Sequence, residues 1–179
     1  MDKDHLKENL KAAVKDYNDF PTKGIVFKDI CPIFNDPLLT KTLFDVMSDD
    51  IKDIDFTHLV GLESRGFLFL APLAITLEKK FMLIRKPGKL PGKVISRKYK
   101  KEYGEDFLEV QDGVLNENCK CLIVDDLLAT GGTAEAAAEL ILQAGGKIAG
   151  FVFLIELNGL NGMDKLQKFG GTTEVILKF

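Results

Sequence analysis

The residues best equipped for chemistry fall in one stretch, Leu122-Ile123-Val124-Asp125-Asp126-Leu127-Leu128-Ala129-Thr130-Gly131-Gly132-Thr133. An apolar strand ends in two adjacent carboxylates, and a turn of small and hydroxyl residues follows, directly before a helical pattern. Gly131 and Gly132 let backbone N–H groups approach an anion closely, and Thr130 and Thr133 add hydroxyl donors. The helix start supplies unpaired N–H groups and a favourable dipole. With Ala129 these residues make a seat for a monophosphate. The turn lacks both the Gly-Lys-Ser/Thr ending of a triphosphate loop and the spaced glycines of a dinucleotide fingerprint. Paired carboxylates repel a phosphate in the same spot, yet they suit two vicinal hydroxyls one sugar-length away. Asp125 and Asp126 are therefore expected to accept from the 2- and 3-hydroxyls of a ribose whose 5-phosphate rests on Ala129 to Thr133. The plainer alternative is a solvated turn in which Thr133 caps the helix.

A second feature is charge. The chain of 179 residues has a net charge of -3, yet ten Lys or Arg residues and no acid lie between Lys79 and Lys101. An acidic protein with one strongly basic segment fits a polyanionic ligand, the alternative being a solvated face. Interleaved aromatics and overall basicity, the marks of nucleic-acid binders, are missing. The longest apolar stretch, Phe67 to Leu77, is broken by Pro72 and Thr76 and is about half the ~20 residues that cross a bilayer. Three cysteines give no disulfide framework, and the start lacks the basic-then-apolar order of a secretory signal. A cytosolic protein with no membrane or nucleic-acid partner is expected. His5 and His58 have no partner for nucleophilic catalysis and read as structural.

These residues need elements to position them. Leu6, Leu10, Ala13, Val14 and Tyr17 predict a helix over about 4–17, and Asp36-Pro37 opens a second through Met47. Val26 to Ile30 reads as a short extended piece. Strands are expected at Thr57–Leu62, Phe81–Ile84, Lys120–Asp125 and Ile148–Leu157, with helices at Phe67–Leu77 and from Thr133 to the Gly145-Gly146 stop. Pro87 to Gly104 reads as a long loop or loose hairpin. Strands alternating with helices predict an α/β fold, a mainly parallel sheet covered on both faces, with ligands at the carboxyl ends of the strands. One domain over 1–179 is expected.

The acidic phosphate segment resembles the donor motif of the type I phosphoribosyltransferases. Three further segments resemble the same family in the same order: Asp19 to Ile30, Glu63-Ser64-Arg65-Gly66-Phe67, and Ile84 to Gly92 leading to Glu102-Tyr103-Gly104. The resemblance implies a small N-terminal hood over about 1–35 and a mobile basic loop over about 87–107. It implies that Glu63, Ser64 and Arg65 form a diphosphate loop with a non-proline cis peptide at Glu63-Ser64. Arg85, Lys86, Lys89 and Tyr103 would complete that subsite, some of the cations reaching a neighbouring subunit of a homodimer. Glu102 would be the catalytic group handling the proton of the base. Phe27 and Leu127 would sandwich adenine, while backbone groups of Val26 and Lys28 read its edge. The implied reaction is transfer of 5-phosphoribose from its 1-diphosphate to adenine, giving AMP and diphosphate. Mg²⁺ is implied, held mainly by substrate oxygens and waters, with no protein metal cluster. Transfer to hypoxanthine, guanine or xanthine remains open, as does a non-catalytic regulator that senses nucleotides on the same fold. Glu102 and the cationic loop argue for catalysis.

Overall fold

The computed structural model describes residues 3–101 and 104–179. The chain divides into two compact units, Met1–Asp50 and Ile51–Phe179.

In the first unit, helix α1 (Lys3–Ala13) is followed by strand β1 (Lys15–Asn18), which pairs antiparallel with β2 (Val26–Asp29). The helix expected through residue 17 therefore stops four residues early. Tyr17 continues the helical spacing but pairs with Phe27, so the ladder overrides the local pattern. Helices α2 (Cys31–Phe34) and α3 (Pro37–Ile51) complete the unit, with Leu10, Ile30, Ile33, Leu43 and Met47 buried. Asp36 caps α3 by accepting the N–H groups of Leu38 and Leu39 at 2.8 and 3.2 Å.

The second unit carries β3 (His58–Leu62), α4 (Phe67–Thr76), β4 (Lys80–Ile84), β5 (Val94–Lys101), β6 (Gly104–Gln111), β7 (Lys120–Leu128), α5 (Gly132–Gln143), β8 (Lys147–Glu156), α6 (Gly162–Leu166), a 3-10 turn (Gln167–Phe169) and β9 (Thr172–Lys178). Its sheet has the order β4-β3-β7-β8-β9 and is parallel throughout. Apolar runs such as Leu59–Leu62 and Cys121–Val124 are buried along their length, as strands covered on both faces require. Strand order reverses direction between β3 and β7, and at such a switch point the connections leave to opposite sides and open a crevice beyond the carboxyl ends.

Parts of this unit refine or depart from expectation. β7 continues past Asp125 to Leu128 because β8 runs alongside it, pairing Leu127 with Ile155 and Leu128 with Glu156. The paired acids thus stand on the strand itself. Of the long loop or loose hairpin expected over Pro87 to Gly104, the hairpin is what forms, with β5 and β6 antiparallel and in register from Val94–Gln111 to Lys101–Gly104. Leu108 and Val110 anchor this hairpin in the core, and the Arg97 guanidinium grips the Glu139 carboxylate on α5. Strand β9 was not anticipated. Among the described residues, no helix is long and apolar enough to cross a membrane.

Candidate active site

The β3 and β7 ends deliver two loops to the switch point. After β7, Leu128 leads into Ala129-Thr130-Gly131, and α5 begins at Gly132. Gly131 is left-handed, with φ 76°, and its carbonyl accepts the Glu135 N–H at 2.9 Å. A Cβ at Gly131 would stand 2.6 Å from the Gly162 carbonyl oxygen, and one at Gly162 would stand 2.3 Å from the Ala129 oxygen. Only two bare backbones fit there, so the Ala129–Gly131 turn is braced by the start of α6. Gly162 is a supporting residue that sequence reasoning missed, since its role is visible only in this 31-residue-distant approach.

After β3, the loop Glu63-Ser64-Arg65-Gly66 has a cis peptide between Glu63 and Ser64. Gly66 allows it to pass close behind the sheet, where a Cβ would meet the Leu62 and Val124 carbonyl oxygens at 2.7 Å. Arg65 is thereby brought to the β7 end, where its guanidinium lies 2.6 Å from an Asp126 carboxylate oxygen.

A cavity of about 240 Å³ is lined by Arg65 and residues 125–134. It joins both expected ribose acids, all five expected phosphate residues, Leu127 and one diphosphate cation. Burial pushes Asp125 well above the usual carboxylate range, and the adjacent Asp126 adds to this. Burial raises Asp126 as well, while Arg65 pulls against it. Hydroxyl donors that face such acids favour their charged form.

Glu63 and Ser64 do not line this cavity. Glu63 instead receives Arg85 on both oxygens, at 3.2 Å each, and the Lys86 N–H at 2.9 Å. Burial pushes Glu63 up, but the Lys86 N–H and Arg85 together outweigh it and hold the carboxyl below its usual range. Arg85 also donates to the Lys89 carbonyl at 3.0 Å, and the Lys86 ammonium lies 4.0 Å from Asp106. Glu102 and Tyr103 sit between the hairpin strands in sequence and lie outside the described residues. In the first unit, Phe27 packs edge-on against Phe20, with ring centroids 5.1 Å apart, the Lys28 ammonium bonds Asp16 at 2.7 Å, and Val26 is exposed. Among the described residues no group of three or more acids, cysteines or histidines could hold a metal by itself.

The chain itself has matches among known proteins. A family described as "Phosphoribosyl transferase domain" matches residues 38–175. The chain belongs to the phosphoribosyltransferase family. Within it, the adenine phosphoribosyltransferase of Ureaplasma parvum is 49% identical over 158 residues, 88% of this chain and 91% of that protein. That of Kosmotoga olearia is 47% identical, covering 90% and 95%. Among solved phosphoribosyltransferases, the adenine phosphoribosyltransferase of Thermoanaerobacter pseudethanolicus superposes with TM-score 0.92 at 40% identity, covering 97% of this chain and 99% of that one. The Saccharomyces cerevisiae enzyme, solved with D-2,5-dideoxy-2,5-imino-altritol 1,6-bisphosphate and adenine, gives 0.88 at 38%, covering 97% and 99%.

Proposed function

We propose that this phosphoribosyltransferase makes AMP and diphosphate from adenine and 5-phosphoribosyl 1-diphosphate, the activity of a purine-salvage enzyme. The observation that carries the reading is the cavity that brings Asp125 and Asp126 together with the Ala129–Thr133 turn, with Arg65 beside them. The 5-phosphate is held by Ala129 to Thr133 and the α5 N-terminus, and the ribose hydroxyls are gripped by the two acids. Arg65, Lys86 and Lys89 stabilise the charge that gathers on diphosphate as its oxygen leaves C1 with the bonding pair. The adenine nitrogen bonds C1, and Glu102 takes the proton that this nitrogen loses. Held acids near a cation-like ribose favour the transition state by position and charge. Tyr103 is assigned to the diphosphate and Val26, Phe27 and Lys28 to the base by the resemblance alone, and Leu127, assigned to the base as well, lines the cavity.

Mg²⁺ fits the oxygen-only donor set of Asp125 and Asp126, reached through ribose hydroxyls and water. When bound it neutralises diphosphate oxygens. A homodimer is supported by large apolar side chains left open on α4 and β4: Leu68 is 46% exposed, Ile75 78% and Phe81 50%. The setting is cytoplasmic, with no nucleic-acid or membrane partner. Incubating the protein with donor, Mg²⁺ and each of adenine, hypoxanthine, guanine and xanthine tests the function. AMP is expected from adenine; turnover only with a 6-oxo purine, or none at all, overturns the reading.

A further inference from the structure

A clasp beside the cavity gives Glu63 a job different from touching substrate. Three donors converge on its carboxylate: Arg85 Nε and Nη2 at 3.2 Å each and the Lys86 N–H at 2.9 Å. The guanidinium is fixed on further sides, with Nη1 donating to the Lys89 carbonyl at 3.0 Å and its carbon 5.7 Å from the Phe67 ring centre. The same segment is held from β6. Arg85 and Glu109 exchange backbone hydrogen bonds of 3.0 and 2.7 Å, and the Glu109 carboxylate accepts the Gly88 N–H at 3.0 Å. Glu63 thus ties the Arg85-Lys86 end of the segment to the loop that carries Arg65, and Glu109 ties the same segment to β6.

A carboxylate already accepting three donors has little capacity left for another, and it repels an incoming diphosphate. Arg85 spends three of its five N–H donors within the clasp, which leaves two in a fixed plane for an anion. We propose that Glu63 is a positioning residue, which orients Arg85 and the Lys86 backbone so that the cations of 85–89 meet the diphosphate together with Arg65, and which touches no substrate atom itself. The inference rests on the reading of the donor above.

A double-mutant cycle tests it, with Glu63→Gln, Arg85→Ala and the pair, read by calorimetric titration of inorganic diphosphate with Mg²⁺ and by donor KM and kcat at saturating adenine. Glu63→Gln is expected to weaken diphosphate binding and raise donor KM about tenfold, the scale of one charge-assisted hydrogen bond. Adenine KM and the melting temperature stay near wild type. In the Arg85→Ala background the same change adds less than about twofold, because its effect travels through Arg85. Glu63→Asp, which keeps the charge, recovers most of the loss, and Glu63→Ala, which removes it, takes the place of Glu63→Gln in the cycle if that variant does not fold. Tighter diphosphate binding in Glu63→Gln, as expected on removing an acid that faces the anion, overturns the proposal, and so do independent, multiplicative effects of the two changes. The diphosphate titration needs no turnover. An inactive wild type with the expected cycle therefore refutes the adenine reading alone.

Discussion

Replacing Gly131 by alanine separates two physical terms that the structure allows to be weighed. Gly131 and Gly113 share almost the same backbone, with φ 76° and 77°. A side chain at either position pays the left-handed penalty of about 1–2 kcal/mol. At Gly113 nothing lies within 4 Å of the added carbon, whereas at Gly131 it would stand 2.6 Å from the Gly162 carbonyl oxygen, a backbone atom that cannot swing aside. Overpacking of that kind costs about 1–3 kcal/mol more. The entropy alanine removes from the unfolded chain is the same at both sites and cancels. At ~2–4 °C per kcal/mol for a chain of this size, Gly131→Ala should melt about 2–12 °C below Gly113→Ala. Part of the strain falls on the phosphate turn, so AMP affinity should drop at least about tenfold, which is 1.4 kcal/mol. Gly113→Ala should bind AMP like wild type. Differential scanning fluorimetry and calorimetric titration of AMP supply both numbers. Equal melting temperatures and equal AMP affinities for the two variants would refute the argument that the turn is braced backbone to backbone.

The raised acids set a pH dependence. Because the folded protein keeps a proton on Asp125 that the unfolded chain has released, stability falls as pH rises from the ordinary carboxylate value of ~3.9 toward the raised one. Urea unfolding across that window should show a steeper decline for wild type than for Asp125→Asn, with the variant the more stable at neutral pH and the weaker in AMP binding; parallel curves contradict this. Since hydroxyl donors favour the charged acids, AMP binding should release protons, seen as a dependence of its calorimetric enthalpy on the ionisation heat of the buffer. Glu102→Gln should bind donor nearly as wild type and lose about 10²–10⁴-fold in turnover, and an unchanged kcat removes its catalytic role. Ile75→Asp should halve the mass measured by light scattering, whereas a wild type already at monomer mass excludes the dimer.

The sequence carries the phosphate seat openly, because glycine, threonine and the helix start act through backbone positions that adjacent residues define. Regular elements of the sheet were legible for the same reason: strands such as Leu59–Leu62 are continuous apolar runs. β6 was hidden because only Leu108 and Val110 of its eight residues are buried, and the rest of Gly104–Gln111 is polar or open. β1 was absorbed into a helical period that only pairing with β2 interrupts. Within the site, the pairings of Arg65 with Asp126 and of Glu63 with Arg85 were not legible. The first joins residues 61 apart and depends on β3 lying beside β7, a tertiary fact no local spacing encodes. Glu63 and Arg85 were both assigned to the diphosphate by resemblance, but their charges first meet each other.

The contact between Arg65 and Asp126 shapes how an arriving substrate is recognised. Left empty, the crevice keeps this acid and this base occupied with one another. A molecule carrying only a sugar frees the base without satisfying it, and one carrying only linked phosphates strands the acid. With ribose on Asp126 and diphosphate on Arg65, as proposed, the intact donor alone repays both at once, and its two halves should bind more tightly joined than their separate affinities predict.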